Sequence, residues 1–376
     1  MPLKLALVSD WYLPHIGGVE YQMRDLAHEL IRRGHEVDII TSTPGATTLD
    51  GLRIHRLAVP IIHHYGIVWN RQALAPLEKL LLQERYDVVH GHGLYSPLSF
   101  MAAYLARKHD IPSVLTNHSI LGRSGVALFR ALDRRYQWSA WPDVLTAVSS
   151  VTAEETGRAA GRMVTVSPNC IEPLKWACAR APGPVVRIAS VMRFTARKSP
   201  SDLIRAIPRI LRRLPADRRP RFVVAGGGPH RKRLEREARA LGVMGSLELL
   251  GFLPRAELRE RLASAQLFVH PTVKEAFGIV MLEAACAGLP VVAMAKSGAR
   301  DIVEHGRNGL LAQTHEQWAD QIVQLILDDE LRQRMSVAAP VGMERFSVGR
   351  ITDQHLDLYD RASLRRRGAT AMRVAQ

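Results

Sequence analysis

The chain has 376 residues, of which 47% are hydrophobic, and this length is typical of two domains with separate cores. Its three cysteines are too few for a disulfide scaffold and form no CxxC pair, which argues against zinc knuckles and thioredoxin-like motifs. The 51 Lys and Arg residues outnumber the 36 Asp and Glu residues, so the formal net charge is +15. This charge indicates either an anionic partner, such as nucleic acid, an acidic membrane or a phosphorylated substrate, or an arginine-biased chain with solvated side chains.

The N-terminal segment lacks the long apolar region and the cleavage site of a signal peptide. No apolar run reaches the roughly 18 residues of a membrane span, because Glu283 and Pro290 interrupt the longest candidate. We therefore expect a soluble cytosolic protein.

The hydrophobic pattern alternates between strands and helices, which is typical of parallel α/β sheets covered on both faces. In the first half, the predicted strands cover residues 3–9, 36–41, 87–90, 113–117, 143–148 and 163–166. In the second half, they cover residues 185–191, 221–225, 247–250, 266–270 and 290–294. The predicted helices cover residues 21–33, 96–108, 202–214, 231–241, 255–264, 278–286, 318–327 and 351–361.

A cluster of prolines and glycines between residues 168 and 184 separates the two series. We predict an N-terminal domain over residues 1–172, a C-terminal domain over residues 184–350, and a final helix over residues 351–376 that crosses back to the first domain. Two successive α/β domains predict two facing Rossmann-like domains. Ligands of such sheets bind at the carboxyl ends of the strands, so we expect the active site in the interdomain cleft.

The segment from His270 to Glu283 carries the most specific pattern in the chain. Seven residues separate the carboxylates of Glu275 and Glu283, and Gly278 between them is expected to open a helix. The free N–H groups and partial positive charge of a helix N-terminus suit a diphosphate. A carboxylate on either side of it would bind hydroxyl groups, one on a donor sugar and one on a ribose.

This segment resembles the E-x7-E motif of family 4 retaining glycosyltransferases, which have the GT-B fold. The resemblance runs over most of the chain and implies a nucleotide-sugar donor (UDP- or GDP-linked), with a hexose or N-acetylhexosamine transferred with retention of configuration. It implies catalytic roles for His118 and Glu275. The donor-binding residues that it implies are Gly17, Gly18, Arg193, Lys198, Gly227, Phe252, Phe277, Gly278, Ile279 and Glu283.

Arg193 and Lys198 also have a physical role that does not depend on the family. Negative charge grows on the departing diphosphate, and two cations with a helix N-terminus can stabilise it in place of a metal ion. The acidic residues 328–330 are interpreted as a solvated turn or helix end. We therefore expect no cofactor and no metal requirement.

His118 follows the predicted strand 113–117 and matches the active-site histidine of the family, which contacts the donor sugar. His90 and His92 end another strand and are interpreted as site-lining or structural residues.

The N-terminal segments are similar to those of bacterial phosphatidylinositol mannosyltransferases and of the catalytic subunit of phosphatidylinositol N-acetylglucosaminyltransferase, which favours a lipid-linked or inositol-containing acceptor. Residues 126–141 combine aromatic residues and arginines at helical spacing. They predict either a peripheral contact with an anionic membrane at its inner face or an ordinary packed helix. A soluble acceptor, such as an antibiotic core or an inositol phosphate, is the alternative.

Other classes fit less well. A nucleic-acid-binding protein would account for the charge, but the chain shows no coherent recognition module. An NAD-dependent oxidoreductase predicts GxGxxG, whereas no third glycine follows Gly17 and Gly18. A sugar phosphorylase would need a cofactor lysine whose context is not found. Pro168-Asn169-Cys170 departs from the family's P-N-G, and such departures leave the donor sugar and base open. The oligomeric state is open as well.

Overall fold

The computed structural model describes residues 2–58, 71–180, 183 and 185–374. The chain divides into two compact units. Unit 1 comprises Met1–Cys170 and Phe346–Gln376, and unit 2 comprises Ile171–Arg345. Unit 1 is therefore formed by two segments of the chain that are distant in sequence.

Unit 1 is built around an eight-stranded sheet. Its strands in chain order are β1 Lys4–Val8, β2 Glu36–Thr41, β3 Thr48–Leu49, β4 Leu52–Arg56, β5 Val88–His92, β6 Ser113–Asn117, β7 Val144–Ala147 and β8 Thr165–Val166. Their order across the sheet is β3-β4-β2-β1-β5-β6-β7-β8. Within this described sheet, every neighbouring pair is parallel except β3 and β4.

Helices cover the sheet of unit 1 and bury its apolar residues. The first five are α1 Gly18–Arg32, α2 Leu74–Glu84, α3 Pro97–Lys108, α4 Gly122–Tyr136 and α5 Ser150–Ala160. The start of α3 is specified locally, because the Ser96 side chain accepts a hydrogen bond from the Ser99 N–H and Pro97 occupies the first helical position.

Unit 2 contains a six-stranded parallel sheet. Its strands are β9 Arg187–Val191, β10 Arg221–Ala225, β11 Leu247–Gly251, β12 Leu267–His270, β13 Val291–Met294 and β14 Gly309–Ala312, in the order β11-β10-β9-β12-β13-β14. Its helices are α6 Pro173–Trp176, α7 Pro200–Arg212, α8 Arg231–Ala240, α9 Arg255–Ala263, α10 Ile279–Cys286, α11 His315–Leu327 and α12 Asp329–Ala338.

The last helix, α13 Val348–Val374, belongs to unit 1. It contributes Leu358, Tyr359 and Ala362 to the core that also contains α1 and β1. Further along, the guanidinium of Arg366 is 3% exposed and lies 2.9 Å from Oδ2 of Asp143. These contacts fix the helix along the sheet of unit 1.

Both units have the doubly wound arrangement of a Rossmann fold, so the predicted α/β class is confirmed. In each sheet the strand order reverses beside the first strand, between β1 and β5 in unit 1 and between β9 and β12 in unit 2. Ligands of doubly wound sheets bind at the carboxyl ends of the strands that flank this reversal. The loops after these strands are therefore where functional residues should be sought.

Several elements were not predicted from the sequence: β3, β4, α2, α5, α6, β14 and α12. Helix α5 lacks a continuous apolar stripe, because small residues and threonines form its buried face. Gly309 opens β14, and Asp328 caps the start of α12 through a hydrogen bond from the Leu331 N–H.

Candidate active site

The glycine loop after β10 packs against the backbone that follows β9. Gly226 and Gly228 have φ angles of +133° and +144°, and a Cβ atom at either position would overlap the main-chain oxygen of Met192 or Phe194. Gly227 has open space where a Cβ would lie, and its carbonyl accepts a 2.7 Å hydrogen bond from the Phe194 N–H. The sequence analysis named Gly227, whereas the close approach of the two backbones requires glycine at Gly226 and Gly228.

This packing holds the segment that carries the two predicted cations of unit 2. Arg193 follows β9 with an exposed side chain and has no ion-pair partner among the residues that the structure describes. Lys198 ends a short 3₁₀ turn before α7, and 21% of its side chain is exposed. The Arg193 guanidinium is thus available to a ligand, whereas the Lys198 ammonium already forms an ion pair.

Lys198 is engaged by Glu275, which lies in the loop after β12. The Lys198 ammonium donates a 2.5 Å hydrogen bond to Oε2 of Glu275, and Nε2 of His270 lies 3.1 Å from the same oxygen. The Thr272 hydroxyl donates to the Lys198 carbonyl at 2.7 Å. The loops after β9 and β12 are therefore bound to each other through side chains and main chain.

Glu275 is almost completely buried but ionised. Burial alone raises the pKa of its carboxyl, but the Lys198 ammonium and the hydrogen bond from His270 lower it by more, so the net pKa lies well below the usual range. At neutral pH the group is a carboxylate that can accept hydrogen bonds but cannot supply a proton.

The start of α10 lies directly after Glu275. Gly278, with φ of +94°, precedes the helix, and a Cβ there would collide with the Met281 side chain. The Gly298 N–H donates a 2.8 Å hydrogen bond to the Glu275 carbonyl, so the loop after β13 closes onto the same turn. Three further predicted residues lie nearby in the chain: Phe277 and Glu283 are buried and Ile279 is half-buried. The Phe277 ring therefore lies in the interior of unit 2 rather than on its surface.

Phe252 directly follows β11 and is 64% exposed. An exposed aromatic ring at the carboxyl end of a strand offers a flat apolar surface. It lies at the same edge of the sheet as the loops after β9, β10 and β12, since all these strands are parallel.

In unit 1, the glycine loop after β1 leads into α1. Gly17 is the N-cap of α1 and Gly18 its first residue. The Glu20 carboxylate fills the space that a Cβ of Gly17 would need, is 3% exposed as a residue, and pairs with His15. A carboxylate there offsets the partial positive charge of the helix start, so this loop is less suited to an anion than the turn before α10.

Histidines occupy the carboxyl ends of the next two strands of unit 1. Nδ1 of His92, the last residue of β5, lies 3.1 Å from Nε2 of His118, which follows β6. His90 is held by the Thr116 hydroxyl at 2.7 Å and by the Tyr359 hydroxyl at 3.0 Å. The predicted catalytic His118 therefore belongs to a cluster of rings.

A fourth ring, His355 from α13, joins this cluster, with its centroid 5.5 Å from that of His90. Burial lowers the pKa of His118 to about 3 and that of His355 to about 4, and it lowers the pKa values of His90 and His92 well below the ordinary value. The four imidazoles are therefore neutral at pH 7, and the cluster offers hydrogen bonds without charge.

The basic and aromatic segment 126–141 divides between the core and the surface. Phe129 and Trp138 are 5% and 1% exposed, and the Trp138 indole N–H donates to the Phe129 carbonyl, so these two rings pack in the interior, as the packed-helix alternative expected. Leu128 and Tyr136 are 52% and 53% exposed. The exposed face of α4 also carries arginines: Arg123, Arg130, Arg134 and Arg135.

Metal sites and membrane spans are both absent from the described part of the chain. Its residues contain no group of three or more His, Cys, Asp or Glu side chains arranged to hold a metal ion. Among the described helices, none combines the length and the apolar character that crossing a bilayer requires.

The two doubly wound sheets, with charged and aromatic side chains at the carboxyl ends of their strands, define an α/β enzyme of the Rossmann class. Residues 16–173 match the family Glycosyltransferase Family 4, and residues 180–341 match Glycosyl transferases group 1. The chain belongs to glycosyltransferase family 4, as its sequence motifs predicted, and it is a glycosyltransferase.

Named relatives span most of the chain. An uncharacterized glycosyltransferase of Methanocaldococcus jannaschii is 33% identical over 82% of this chain and 84% of its own length. A D-inositol 3-phosphate glycosyltransferase of Saccharomonospora viridis is 30% identical over 96% of this chain and 92% of its own. In Arabidopsis thaliana, one of the subunits of phosphatidylinositol N-acetylglucosaminyltransferase is 29% identical over 80% of this chain and 69% of its own.

Solved structures establish the fold. HepE of Anabaena, crystallised with UDP and glucose, is 20% identical and superposes with a TM-score of 0.74 over 94% of this chain and 98% of its own. Sucrose-phosphate synthase of Thermosynechococcus elongatus is 18% identical, with a TM-score of 0.75 over 95% and 98%. The predicted GT-B fold class is confirmed.

Proposed function

We propose that this glycosyltransferase moves a hexose or an N-acetylhexosamine from a UDP- or GDP-linked donor to a hydroxyl of a lipid-linked or inositol-containing acceptor, with retention of configuration. The observation that carries the proposal is the contact of Lys198 and His270 with the Glu275 carboxylate, at the carboxyl end of β12. This contact places an ammonium group and a carboxylate at the carboxyl edge of a doubly wound sheet, which is where such sheets bind nucleotides.

Charge and shape in unit 2 support a donor site there. The exposed Arg193, the Lys198 ammonium and the N-terminus of α10 supply positive charge where a diphosphate departs. The exposed Phe252 ring offers a stacking surface to the nucleotide base. The Glu275 carboxylate accepts a hydrogen bond from a donor-sugar hydroxyl. The UDP bound to HepE supports a nucleoside diphosphate as the leaving group.

The reaction proposed here is a same-face substitution. The bond between the anomeric carbon and the phosphate oxygen breaks, and a bond from that carbon to the acceptor oxygen forms. The acceptor's proton passes to the departing phosphate oxygen. Glu275 is a poor nucleophile for a covalent intermediate, because the Lys198 ammonium already binds its charge.

We also propose that the reaction needs no metal ion, since cationic side chains and a helix N-terminus can balance the diphosphate. Transfer measured with excess EDTA should equal transfer measured with Mg²⁺ or Mn²⁺. A rate that EDTA abolishes and a divalent ion restores would contradict this part of the proposal.

Two observations bear on the acceptor. The exposed arginines of α4 and the name of the phosphatidylinositol N-acetylglucosaminyltransferase relative favour a lipid acceptor, reached from the cytoplasmic face of an anionic membrane. The D-inositol 3-phosphate glycosyltransferase, which matches 96% of the chain, favours a soluble inositol phosphate as the second candidate.

A panel of donors and two acceptors tests the proposal. The purified chain is incubated with UDP-glucose, UDP-N-acetylglucosamine or GDP-mannose and with phosphatidylinositol in mixed micelles or with inositol 3-phosphate. Product NMR should show the α-linkage of the donor, and Glu275→Gln should lose about 100-fold in kcat. The exposed Glu304→Gln in the same unit is the matched control. An inverted linkage, or an unaffected Glu275→Gln variant, would overturn the mechanism.

A further inference from the structure

His270 is the last residue of β12, and its buried ring contacts the Glu275 carboxylate. The side chain is 1% exposed, and its Nε2 atom lies 3.1 Å from Oε2 of Glu275. Its Nδ1 atom has no hydrogen bond to any residue that the structure describes. Because buried polar side chains in proteins are nearly always paired, a buried imidazole with one engaged nitrogen needs an explanation.

The carboxylate decides which nitrogen of the His270 ring carries a hydrogen. Glu275 is ionised, since its pKa lies well below the usual range, and an ionised carboxylate only accepts hydrogen bonds. The 3.1 Å contact therefore requires a hydrogen on Nε2, which makes the ring the donor. A neutral ring of this kind leaves Nδ1 bare, and Nδ1 is the atom without a partner.

The two oxygens of Glu275 are engaged differently. Oε2 accepts from the Lys198 ammonium at 2.5 Å and from Nε2–H of His270 at 3.1 Å. A carboxylate oxygen has two lone pairs, so these two donors fill Oε2. Oε1 accepts no hydrogen bond from the described residues. A ligand hydroxyl that donates to Glu275 therefore meets Oε1.

Main-chain contacts hold the backbone on which both side chains are mounted. The Gly298 N–H donates a 2.8 Å hydrogen bond to the Glu275 carbonyl. The Ser190 hydroxyl donates to the Val269 carbonyl at 2.7 Å, directly before His270. Since the backbone is fixed at both ends of this loop, the direction of the Glu275 carboxylate depends on what binds Oε2.

Lys198 and His270 bind Oε2 in physically different ways. A lysine ammonium is a point charge on a flexible stem with three donors that can turn, so it supplies charge without fixing a direction. An imidazole is planar and directs its N–H along the plane of the ring, and this ring is confined by burial at the end of a strand. The orientation of the carboxylate therefore depends more on His270 than on Lys198.

We propose that His270 is a positioning residue whose Nε2–H holds Oε2 of Glu275, so that Oε1 is the oxygen presented to the donor. In this arrangement Lys198 balances the charge of the carboxylate and His270 sets its direction. The proposal rests on the proposed function in taking the ligand of Oε1 to be a hydroxyl of the donor sugar, whereas the pairing of His270 with Glu275 does not depend on it.

NMR of the chain labelled with 15N-histidine tests the pairing without turnover. A His270→Gln sample identifies the His270 signals by their loss. In the wild-type chain at pH 7, Nε2 should carry a hydrogen whose 1H resonance lies downfield of its position in Glu275→Ala, because that variant lacks the acceptor. A wild-type ring with no hydrogen on Nε2, or a resonance that Glu275→Ala leaves in place, would overturn the pairing.

Two amide variants test the positioning role, because they replace different nitrogens of the ring. The amide nitrogen of glutamine lies near the position of Nε2, and that of asparagine lies near the position of Nδ1. His270→Gln should therefore keep kcat within about threefold of the wild type, whereas His270→Asn should lower kcat about tenfold. The Kd for UDP should stay at the wild-type value in both variants, because UDP carries no donor sugar for Oε1 to bind.

The outcomes of these measurements separate positioning from packing. Equal losses of kcat in both variants would mean that the ring only packs, and wild-type kcat in His270→Asn would mean that Glu275 needs no second donor; either result overturns the positioning role. An unchanged Kd for UDP shows that a variant is folded. If the wild-type chain accepts no nucleotide-sugar, the proposed function fails, and the NMR result still decides whether His270 donates to Glu275.

Discussion

The Lys198 ammonium and Oε2 of Glu275 lie 2.5 Å apart, with 21% and 10% of the two side chains exposed. Removing only Lys198 leaves a nearly buried carboxylate that keeps its hydrogen bond to His270 but loses the opposite charge. Lys198→Met should therefore lower the free energy of unfolding by about 3 kcal/mol.

The double variant Lys198→Met/Glu275→Gln removes the unbalanced charge and should recover most of the lost stability, although both variants lose transfer activity. Urea unfolding of the four proteins in this cycle measures the coupling. Additive losses in the double variant would show that the two groups do not stabilise each other.

We expect the Phe252 ring to contribute to nucleotide affinity but not to the free energy of unfolding. Phe252→Ala should weaken UDP binding roughly tenfold, because stacking of a base on an aromatic ring contributes about 1–3 kcal/mol. Calorimetric titration with UDP measures the Kd. Val337→Ala, which truncates a side chain of α12 that is 66% exposed, is the control. An equal Kd in both variants would remove Phe252 from the donor site.

The exposed arginines of α4 predict binding to anionic vesicles. Reversing the charge of Arg123, Arg130 and Arg134 with Glu should reduce partitioning onto phosphatidylserine vesicles by about 100-fold or more, at about 1 kcal/mol per basic residue. Flotation of the vesicles at low salt measures this partitioning. The control reverses an equal number of exposed basic residues on α8, namely Lys232, Arg233 and Arg236. Equal losses in both triple variants would mean that the attraction is general rather than specific to α4.

The buried histidines of unit 1 predict a loss of stability in acid. The pKa of His355 is about 4 in the folded chain, whereas an unfolded imidazole has a pKa of about 6.5, so between these values the unfolded chain binds more protons. The free energy of unfolding should therefore fall as the pH falls from about 6.5 to about 4.

His355→Leu removes one such titrating group and should reduce this pH slope by about 1.4 kcal/mol per pH unit. Denaturant unfolding at several pH values from 4 to 7.5 gives the slope. The control is Leu364→Ala on the same helix, which truncates a side chain that is 67% exposed, removes no titrating group and should leave the slope unchanged. A slope that His355→Leu does not alter would contradict the link between this ring and acid sensitivity.

The sequence could predict which strand ends carry function, because apolar runs mark the strands and parallel strands point their carboxyl ends to one edge. The resemblance to family 4 assigned Lys198 and Glu275 to one donor site, and their contact follows from the adjacency of β9 and β12 in the sheet. The roles of Gly226 and Gly228 were missed, since which glycine is indispensable depends on the backbone packed against it. His270 was missed as a partner of Glu275, although it opens the motif segment.

The direction in which side chains point was harder to predict. Phe129 and Trp138 share a helical pattern with exposed arginines, and only the packing of α4 on its neighbours shows that both rings are interior. The pairing of His92 with His118 depends on β5 and β6 being adjacent in the sheet, which their spacing in the chain alone does not reveal.

Because α13 packs on unit 1 but follows unit 2 in the chain, the core of unit 1 is completed only after unit 2 has been translated. The apolar residues against which Leu358, Tyr359 and Ala362 pack belong to α1 and to strands made early, whereas the helix is translated only after every residue of unit 2. During translation of residues 171–345, those apolar residues stay uncovered on the ribosome, where they are a substrate for chaperones and a risk for aggregation. A chain that terminates before residue 346 therefore leaves an apolar surface of unit 1 uncovered, even though every residue of unit 2 has been made.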